Sequence, residues 1–339
     1  MTTKVTAMDK KTDHINDRQF DTRKGFVTSI VKSGDMMSND SVTLARAFLS
    51  SQDIGEASKR TYGKGLLLFL EWLRGNDIQS PNRETIIRYK EDLKARGLSS
   101  YSVSVYIVAI RRFFEWAEGM KYYPNIAKGI KTGKKSNGFR KDSLTVEQIQ
   151  ELLTSIDRTT LEGKRDYAML NLLIRTGLRT IEAVRANRDD IRQQGGAAVL
   201  WIQGKGRDSK DDFVLLTPAS LKPLYAYMKA DRRRKKTGPL FISLSDRNNG
   251  GRLTTRSIRR IVKVRLRGIG IDSDRLTAHS LRHTAITLSL KAGATIQEAQ
   301  VLGRHANINT TLIYAHNIDR IRNAPERRID KILSNRLNK

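Results

Sequence analysis

The segment LTAHSLRHTAITLSL, residues 276–290, places three cation-forming side chains in the first turns of a predicted helix. They are His279, Arg282 and His283, and apolar residues recur along the segment at the spacing of one helix face. Cations are favoured near a helix C-terminus, because the macrodipole is positive at the N-terminus. Their position here therefore indicates a ligand, either a metal ion bound by the histidines or an anion.

A metal site is one chemistry that the spacing allows. His279 and His283 are four residues apart, so both imidazoles could reach one ion from the same helix face. The metalloprotease pattern, however, has a glutamate after the first histidine, whereas this chain has Ser280. The chain also has no cysteine that could add a thiolate ligand. We therefore expect no metal here.

An anion site is the second chemistry. His279 and Arg282 are three residues apart and share a helix face. A guanidinium group matches two oxygens of a phosphate, and the helix N-terminus adds its own positive charge. A surface helix with scattered charges would explain the same residues equally well.

Two other segments carry side chains suited to a phosphate. In LLIRTGLRTIEAVRAN, Arg179 follows Gly177 at the junction of two predicted helices, and Glu182 lies one turn further on, where it could orient Arg179. In IQGKGRDSK, Lys205 lies between two glycines at a predicted hairpin tip, which frees it to swing toward a phosphate. Considered alone, Arg179 fits an ordinary surface arginine, and GKG lacks the other features of a P-loop.

The segment LGRHANINTTLIYAH adds His305 before a polar turn and Tyr314 on the next short helix. A tyrosine on a short amphipathic helix is usually a packing residue. Tyr314 therefore becomes a candidate nucleophile only in combination with the basic residues above.

The net charge indicates the same class of ligand. The 339 residues include 63 Lys and Arg against 35 Asp and Glu, which gives +28. Such an excess indicates a polyanionic partner, first nucleic acid and second an anionic membrane surface. A membrane partner would need a basic amphipathic helix with a bulky apolar face, and the sequence has no strong example.

The location follows from three features of the sequence. No apolar run approaches the length of a bilayer span, and the first residues lack the apolar region of a signal peptide. The absence of cysteine fits a reducing cytoplasm. We expect a cytoplasmic, nucleoid-associated protein without a membrane partner.

The N-terminal half divides into two segments. Residues 1–41 are polar and weakly periodic, so we expect them to be partly disordered or to form one short element. Residues 42–128 carry four helical patterns, typical of a small helical domain, and Arg111 and Arg112 leave the fourth on the side opposite its apolar face. The predicted helices are Val42–Ser51, Ser58–Arg74, Arg83–Arg96 and Ser99–Glu118.

Residues 129–143, GIKTGKKSNGFRKDS, are rich in Gly, Ser, Lys and Arg and predict a linker. Its basic side chains could follow a DNA backbone, although a merely soluble tether would have the same composition. The candidate DNA contacts in the linker are Lys134, Lys135, Arg140 and Lys141.

Residues 144–324 predict a mostly helical second domain. AAVLWIQ and DFVLLT predict two strands, which GKGRDSKD joins into a small antiparallel sheet. The helix TTRSIRRIVKVRLRG has basic residues at helical spacing, which we expect to contact DNA phosphates and bases. These candidates are Arg256, Arg259, Arg260 and Lys263. Residues 325–339 predict a tail helix whose apolar stripe suits a neighbouring protomer or its own domain.

In chain order, TGLRTIEA, GKG, HSLRH and H-ANINTT-LIY resemble the signature of the tyrosine recombinases, the integrase family that includes lambda integrase, Cre and the Xer proteins. The family pattern is Arg, Lys, His-x-x-Arg, His and then a tyrosine at the separation of His305 and Tyr314. The upstream helices resemble the family's core-binding domain, so the resemblance covers residues 42–335. The chain departs from the pattern at 302–305, Leu-Gly-Arg-His, where the family has Leu-Gly-His, and residues 1–41 match nothing in it.

The resemblance implies a fold class and a reaction. The expected fold is mainly α, with a helical SAM-like core-binding domain and a mixed, mostly helical catalytic domain that has a small antiparallel sheet. The expected activity is that of a site-specific DNA recombinase, which cuts and rejoins DNA through a 3′-phosphotyrosyl intermediate and a four-way junction. Integration, excision, inversion and dimer resolution all stay open.

The resemblance also implies a role for each residue of the set. Tyr314 would be the nucleophile, and Arg179 and Arg282 would hold the non-bridging oxygens of the phosphate. His279 would accept the tyrosine proton, and Lys205 would protonate the leaving 5′ oxygen.

The remaining residues would support this chemistry. His305 would donate a further hydrogen bond to the phosphate, Glu182 would support Arg179, and His283 would pack behind them. No cofactor and no metal would be needed, since arginines and a lysine supply the positive charge. The partner would be double-stranded DNA with inverted-repeat core sites, bound by a homotetramer on two DNA sites, with accessory or directionality factors as further partners.

Two other functions share features of this sequence. A type IB topoisomerase uses the same phosphotyrosine chemistry alone, and a DNA-binding regulator could keep the fold with an inactive site. The core-binding helices and the tail helix favour a recombinase over the first, and the complete set of six residues favours it over the second.

Overall fold

The computed structural model describes residues 40–133, 142–204, 206–231, 237–322 and 325–337. The chain separates into two units, Met1–Asn137 and Gly138–Lys339. The predicted N-terminal extension, up to residue 39, lies outside the described residues. Five predicted functional side chains also lie outside them, namely Lys134, Lys135, Arg140, Lys141 and Lys205.

The first unit has the four helices that the sequence predicts. They are α1 (Asp40–Ser51), α2 (Glu56–Gly75), α3 (Arg83–Ala95) and α4 (Ser100–Gly119). Side-chain caps fix two of the starts, since Asn82 accepts a hydrogen bond from the backbone N of Thr85, and Ser99 from that of Ser102. Each helix contributes a large side chain to one core, for example Phe48, Phe69, Tyr89 and Phe113.

The second unit is mostly helical, which confirms the predicted fold class. Its helices are α5 (Val146–Thr154), α6 (Leu161–Thr176), α7 (Thr180–Arg185), α8 (Pro218–Ala230), α9 (Thr255–Arg267), α10 (Ala278–Lys291), α11 (Ile296–Gly303), α12 (Asn309–Arg322) and α13 (Pro325–Leu337). Among the described helices of the chain, none is long and apolar enough to cross a bilayer.

The sheet is antiparallel, with strands in the order β1 (Ile191–Gln194), β2 (Ala197–Ile202) and β3 (Asp212–Leu215). The sequence predicts β2 and β3 but not β1, because IRQQ has no apolar alternation and is largely exposed. The signal for β1 is the turn Gly195–Gly196, where both residues have positive φ (57° and 77°), as tight hairpin turns require.

Helix α6 forms the centre of the second unit. Leu170, Leu172 and Leu173 on it are buried, and it packs against α8 and α10. The helix ends at Gly177, whose left-handed backbone (φ 61°) lets the chain turn into α7. An added Cβ at Gly177 would lie 3.4 Å from the Cβ of Ala285 on α10, so this turn lies directly against α10. The fold thereby brings TGLRTIEA next to HSLRH.

Candidate active site

Arg179 is the N-cap residue of α7, and Glu182 lies one helical turn further on. The Glu182 carboxylate is fully buried (0% exposed) and accepts two hydrogen bonds from Arg179, one from the backbone N and one from Nη1, both at 2.7 Å. These contacts cap α7 and fix the guanidinium group. Nη2 of Arg179 donates to the carbonyl of Arg304 at 2.9 Å. The side chain of Arg179 stays 28% exposed, so a ligand can still reach it.

Arg282 is buried in the first turns of α10 (2% exposed). Its Nη1 donates to the carbonyl of Gly177 at 2.6 Å, and its Nη2 donates to the carbonyl of Gly303. Carbonyl oxygens orient a guanidinium group without neutralising it. Burial, together with the charges of Arg179 and Arg304, lowers the pKa of Arg282 to about 10, so the group stays charged at neutral pH.

Arg304 joins this site, although the sequence pattern assigns no role to it. Its Nη2 donates to Glu182 Oε2 and to the carbonyl of Gly177, both at 3.0 Å. Helix α11 ends at Gly303, and Arg304 follows as its C-cap with a left-handed backbone (φ 47°). Counted back from His305, Arg304 holds the position of the glycine in Leu-Gly-His, in the conformation that glycine prefers. Arg304 is the residue that makes Leu-Gly-Arg-His one residue longer than Leu-Gly-His, and this departure is the sequence signal for it.

Tyr314 lies on α12 and is buried (4% exposed). Its ring stacks on that of His305, with 6.0 Å between the ring centroids and 22° between the planes, and lies 5.2 Å from the ring of His283. Burial raises the pKa of Tyr314 to about 12, against the opposing effect of the Arg282 and Arg179 charges. The phenol is therefore protonated at neutral pH and needs a proton acceptor before it can attack as a phenolate.

His305 is held between Gly303 and α12. Its Nδ1 lies 2.9 Å from the hydroxyl of Thr311, and a Cβ on Gly303 would lie 2.8 Å from its ring, so this packing requires glycine. Burial and the charges of Arg282 and Arg179 lower the pKa of His305 to about 4, and the ring is neutral at neutral pH. In the tautomer in which Nδ1 accepts from Thr311, the neutral ring carries its proton on Nε2 and can donate it to an anion.

The two histidines of α10 differ in burial. His279 is exposed, whereas His283 is 8% exposed, and the two rings meet edge to face with centroids 4.7 Å apart. Burial and the charges of His279 and Arg282 lower the pKa of His283 to about 4. The neutral His283 ring beside Tyr314 is thus a second candidate for the proton acceptor. Within the described part of the chain, no group of three or more His, Cys, Asp or Glu side chains could hold a metal ion.

The hairpin that carries Lys205 is anchored on both sides of that residue. The carbonyl of Gly204 accepts from Arg185 Nη1 at 2.9 Å, and Lys210 forms an ion pair with the buried Asp190. Arg185 ends α7, and Asp190 follows it closely. The hairpin is therefore tied to the same stretch of chain that begins with Arg179.

The predicted DNA-contact residues within the described part of the chain differ in exposure. Five of them are exposed, namely Arg111 and Arg112 on α4 and Arg256, Arg259 and Arg260 on α9. Lys263 is half-buried, and its ammonium group donates to the carbonyl of Ser273 at 2.8 Å and pairs with Asp272 at 2.9 Å. Lys263 is thus engaged within its own unit and is less suited to DNA contact than the other five.

Two family models match the chain. The Phage integrase family matches residues 142–320, and the model described as Phage integrase, N-terminal SAM-like domain, matches residues 46–120. The first range lies in the second unit and the second range in the first unit.

Known relatives agree with these models. Tyrosine recombinase XerD of Listeria monocytogenes serotype 4b (strain F2365) is 32% identical over 76% of this chain and 86% of its own length. A tyrosine recombinase of Synechococcus elongatus is 29% identical over 76% of this chain and 83% of its own.

Two solved structures support the fold. The XerH site-specific recombinase bound to palindromic difH substrate has a TM-score of 0.65 at 22% identity, over 84% of this chain and 85% of that one. A lambda integrase dimer bound to a COC′ core site has a TM-score of 0.63 at 15% identity, over 81% and 79% of the two chains. The family models and the XerD relative confirm the resemblance found in the sequence, and the chain belongs to the tyrosine recombinases of the phage integrase family, which are enzymes that cut and rejoin DNA.

Proposed function

We propose that this protein is a site-specific recombinase that cleaves double-stranded DNA through attack of Tyr314 on a phosphodiester. The observation that carries the proposal is the convergence of Arg179 and Arg282, from separate segments, onto the carbonyls of residues 303 and 304 beside a buried tyrosine. The charges of both arginines also lower the pKa of Tyr314 against the effect of burial. An anion bound between these groups would lie next to the nucleophile.

The cleavage step transfers the phosphate from DNA to the protein. The Tyr314 oxygen forms a bond to phosphorus while the bond from phosphorus to the 5′ oxygen breaks, which leaves a 3′-phosphotyrosyl bond and a free 5′ hydroxyl. Arg179 and Arg282 hold the non-bridging oxygens and stabilise the charge that develops on them. His305 donates a hydrogen bond from Nε2 to the same phosphate.

Two proton transfers accompany this step. The tyrosine proton passes to His279, and Lys205 protonates the departing 5′ oxygen. His283 is the alternative acceptor, because its ring lies 5.2 Å from that of Tyr314. The variants His279→Gln and His283→Gln identify the acceptor, since loss of the true acceptor lowers the cleavage rate more. Rejoining reverses both transfers when a 5′ hydroxyl attacks the phosphotyrosine, and no nucleotide cofactor enters because the covalent bond keeps the phosphodiester energy.

Different segments of the chain bind the DNA and catalyse the reaction. Residues 42–128 bind the core site, residues 129–143 follow its backbone, and residues 144–324 carry the chemistry. The exposed arginines on α4 and α9 support this division, since phosphate contacts need accessible cations. DNA affinity therefore falls steeply as the salt concentration rises.

Strand exchange takes place in a homotetramer that joins two DNA sites with inverted-repeat core sequences through a four-way junction. The tail helix α13 supports this assembly, because Ile329, Ile332 and Leu333 are exposed and form a short apolar stripe suited to a neighbouring protomer. Deletion of residues 325–339 should keep binding to a single site but abolish the paired complex in a gel-shift assay. A truncated protein that still recombined paired sites would reject this role for the tail.

A nicked suicide DNA tests the proposed reaction. The binding site is first selected from random DNA by the protein itself. It is then nicked close to the scissile phosphate, so that the short fragment with the free 5′ hydroxyl diffuses away after cleavage. We expect a covalent protein–DNA adduct that resists denaturing electrophoresis and is absent with Tyr314→Phe. A protein that binds its selected site tightly but forms no adduct would be a DNA-binding regulator instead.

A further inference from the structure

Arg304 connects the two arginines that hold the phosphate in the proposed function. It shares the Glu182 carboxylate with Arg179, and it shares the carbonyl of Gly177 with Arg282. Its own carbonyl accepts from Nη2 of Arg179 at 2.9 Å. A change at Arg304 would therefore alter a hydrogen-bond partner of both arginines at once.

Three features of Arg304 disfavour stability. Its left-handed backbone (φ 47°) is unfavourable for any residue with a Cβ. Its side chain is only 10% exposed, and this burial lowers the pKa of the guanidinium group. Its Nε is buried and has no hydrogen-bond partner among the described residues. A strained and incompletely paired residue beside a candidate phosphate site indicates a role in the reaction.

The role follows from the way in which the Glu182 carboxylate is shared. Oε1 of Glu182 accepts from Nη1 of Arg179, and Oε2 accepts from Arg304 and from the Arg179 backbone. If Arg304 were removed, Arg179 would no longer share the carboxylate with a second guanidinium group, and the charge of Glu182 would offset the charge of Arg179 more fully. With Arg304 present, two guanidinium groups share one carboxylate, and that of Arg282 lies within reach of the same charge, so positive charge is left for an anion.

We propose that Arg304 is a positioning residue for phosphate cleavage. It occupies Glu182 and the carbonyl of Gly177, so that Arg179 and Arg282 keep the orientation and the charge that the scissile phosphate requires. This inference rests on the proposed function and adds to it a residue whose role depends on charge.

Arg304→Gly is the decisive variant, because glycine accepts the left-handed backbone and keeps the carbonyl that Arg179 uses. A purely structural role would leave cleavage unchanged or improved. We expect single-turnover cleavage of the suicide DNA, at saturating protein, to fall about 10- to 100-fold. DNA affinity should stay within about twofold, since the residue is buried, and the thermal midpoint should be equal or higher. Arg304→Lys keeps the charge and should recover part of the rate.

A second substrate separates a charge effect from a packing effect. In DNA with a methylphosphonate at the scissile position, the phosphate is neutral, so the positive charge of the site contributes less. We expect the ratio of wild-type to Arg304→Gly rates to shrink at least about threefold on this DNA. Arg158→Ala is the matched control, because it removes an exposed charge from the same unit and should change neither rate.

The outcomes distinguish this inference from the function on which it rests. Equal cleavage of phosphodiester DNA by wild type and Arg304→Gly would overturn the role of Arg304, and so would an equal loss on both substrates. Absence of any wild-type adduct would overturn the proposed function, and the inference with it.

Discussion

Two groups of arginines in the second unit differ in the acceptors that surround them. In the first, which we call the structural cluster, Arg165 and Arg265 bind opposite oxygens of the buried Asp166, at 2.8 and 2.6 Å. Glu162 adds a second carboxylate, 3.3 Å from Arg165. Two guanidinium groups thus face two carboxylates, and the charges are balanced.

In the second group, which we call the site cluster and which comprises Arg179, Arg282 and Arg304, the single carboxylate of Glu182 binds Arg179 and Arg304 and acts on Arg282 only through its charge. Arg282 binds two backbone carbonyls instead of an acid. Carbonyls hold a guanidinium group in place but leave its charge available.

The comparison separates a cluster that stabilises the fold from one that is prepared for a ligand. In a buried pair of opposite charges, each charge compensates the other without a ligand, and removal of one partner leaves an uncompensated charge. A buried excess of positive charge is compensated only when an anion is bound. The site cluster should therefore be needed for activity more than for stability, and the structural cluster the reverse.

The largest expected effect comes from Arg282→Ala, which breaks the site cluster. Cleavage of the suicide DNA should fall on the order of 100- to 1000-fold, because a preorganised donor to the transition state is lost. The thermal midpoint should change little, since repulsion among the three cations is relieved as two carbonyls lose a donor. Single-turnover rates and a thermal melt of the same sample measure both effects. A cleavage rate within tenfold of wild type would contradict the comparison.

The next effect comes from Asp166→Asn, which breaks the structural cluster. Arg165 and Arg265 would then face each other without the carboxylate between them, and the free energy of unfolding should fall by about 3 kcal/mol. Denaturant titration measures this loss. Cleavage by the folded variant, assayed well below its unfolding transition, should equal that of wild type. A large loss of cleavage in folded protein would mean that the two clusters do not act separately.

The smallest effect concerns acid, which protonates the neutral histidines next to the site cluster. Burial holds the pKa of His283 at about 4, whereas the unfolded chain has the ordinary value near 6.5. Between these values the unfolded chain binds a proton that the folded chain does not, so stability falls as the pH falls from about 6.5 to about 4.

The variant His283→Phe keeps a ring beside Tyr314 but does not titrate. The difference in unfolding free energy between pH 7 and pH 5 should be about 1 kcal/mol smaller in this variant, after allowance for solvent screening. Urea titrations at both pH values measure the difference. Parallel losses in wild type and variant would show that His283 is not the group responsible.

Much of the fold follows from local patterns in the sequence. The helical periods predict the four helices of the first unit, and the apolar runs predict β2 and β3. Strand β1 has no apolar pattern, because only its pairing with β2 and the turn Gly195–Gly196 hold it in the sheet. Short polar strands of this kind depend on tertiary contacts that no local period records.

The sequence suggests which residues form the candidate site, but it does not reveal the electrostatics of that site. The spacing of Arg282 within HSLRH indicates a phosphate site, yet it does not reveal that the side chain is buried and bound to carbonyls. The role of Arg304 depends on Gly177 and Glu182, which lie more than a hundred residues away in the chain, and on a left-handed backbone. A local pattern contains none of these facts.

The most direct test of the central claim locates the covalent bond. The adduct with nicked suicide DNA is digested with nuclease and protease, and mass spectrometry identifies the modified residue and the linkage. We predict a nucleotide joined through its 3′ phosphate to Tyr314, in an amount that falls sharply with Arg282→Ala and is unchanged with folded Asp166→Asn. A nucleotide on another residue, or an adduct that persists in Tyr314→Phe, would contradict the account.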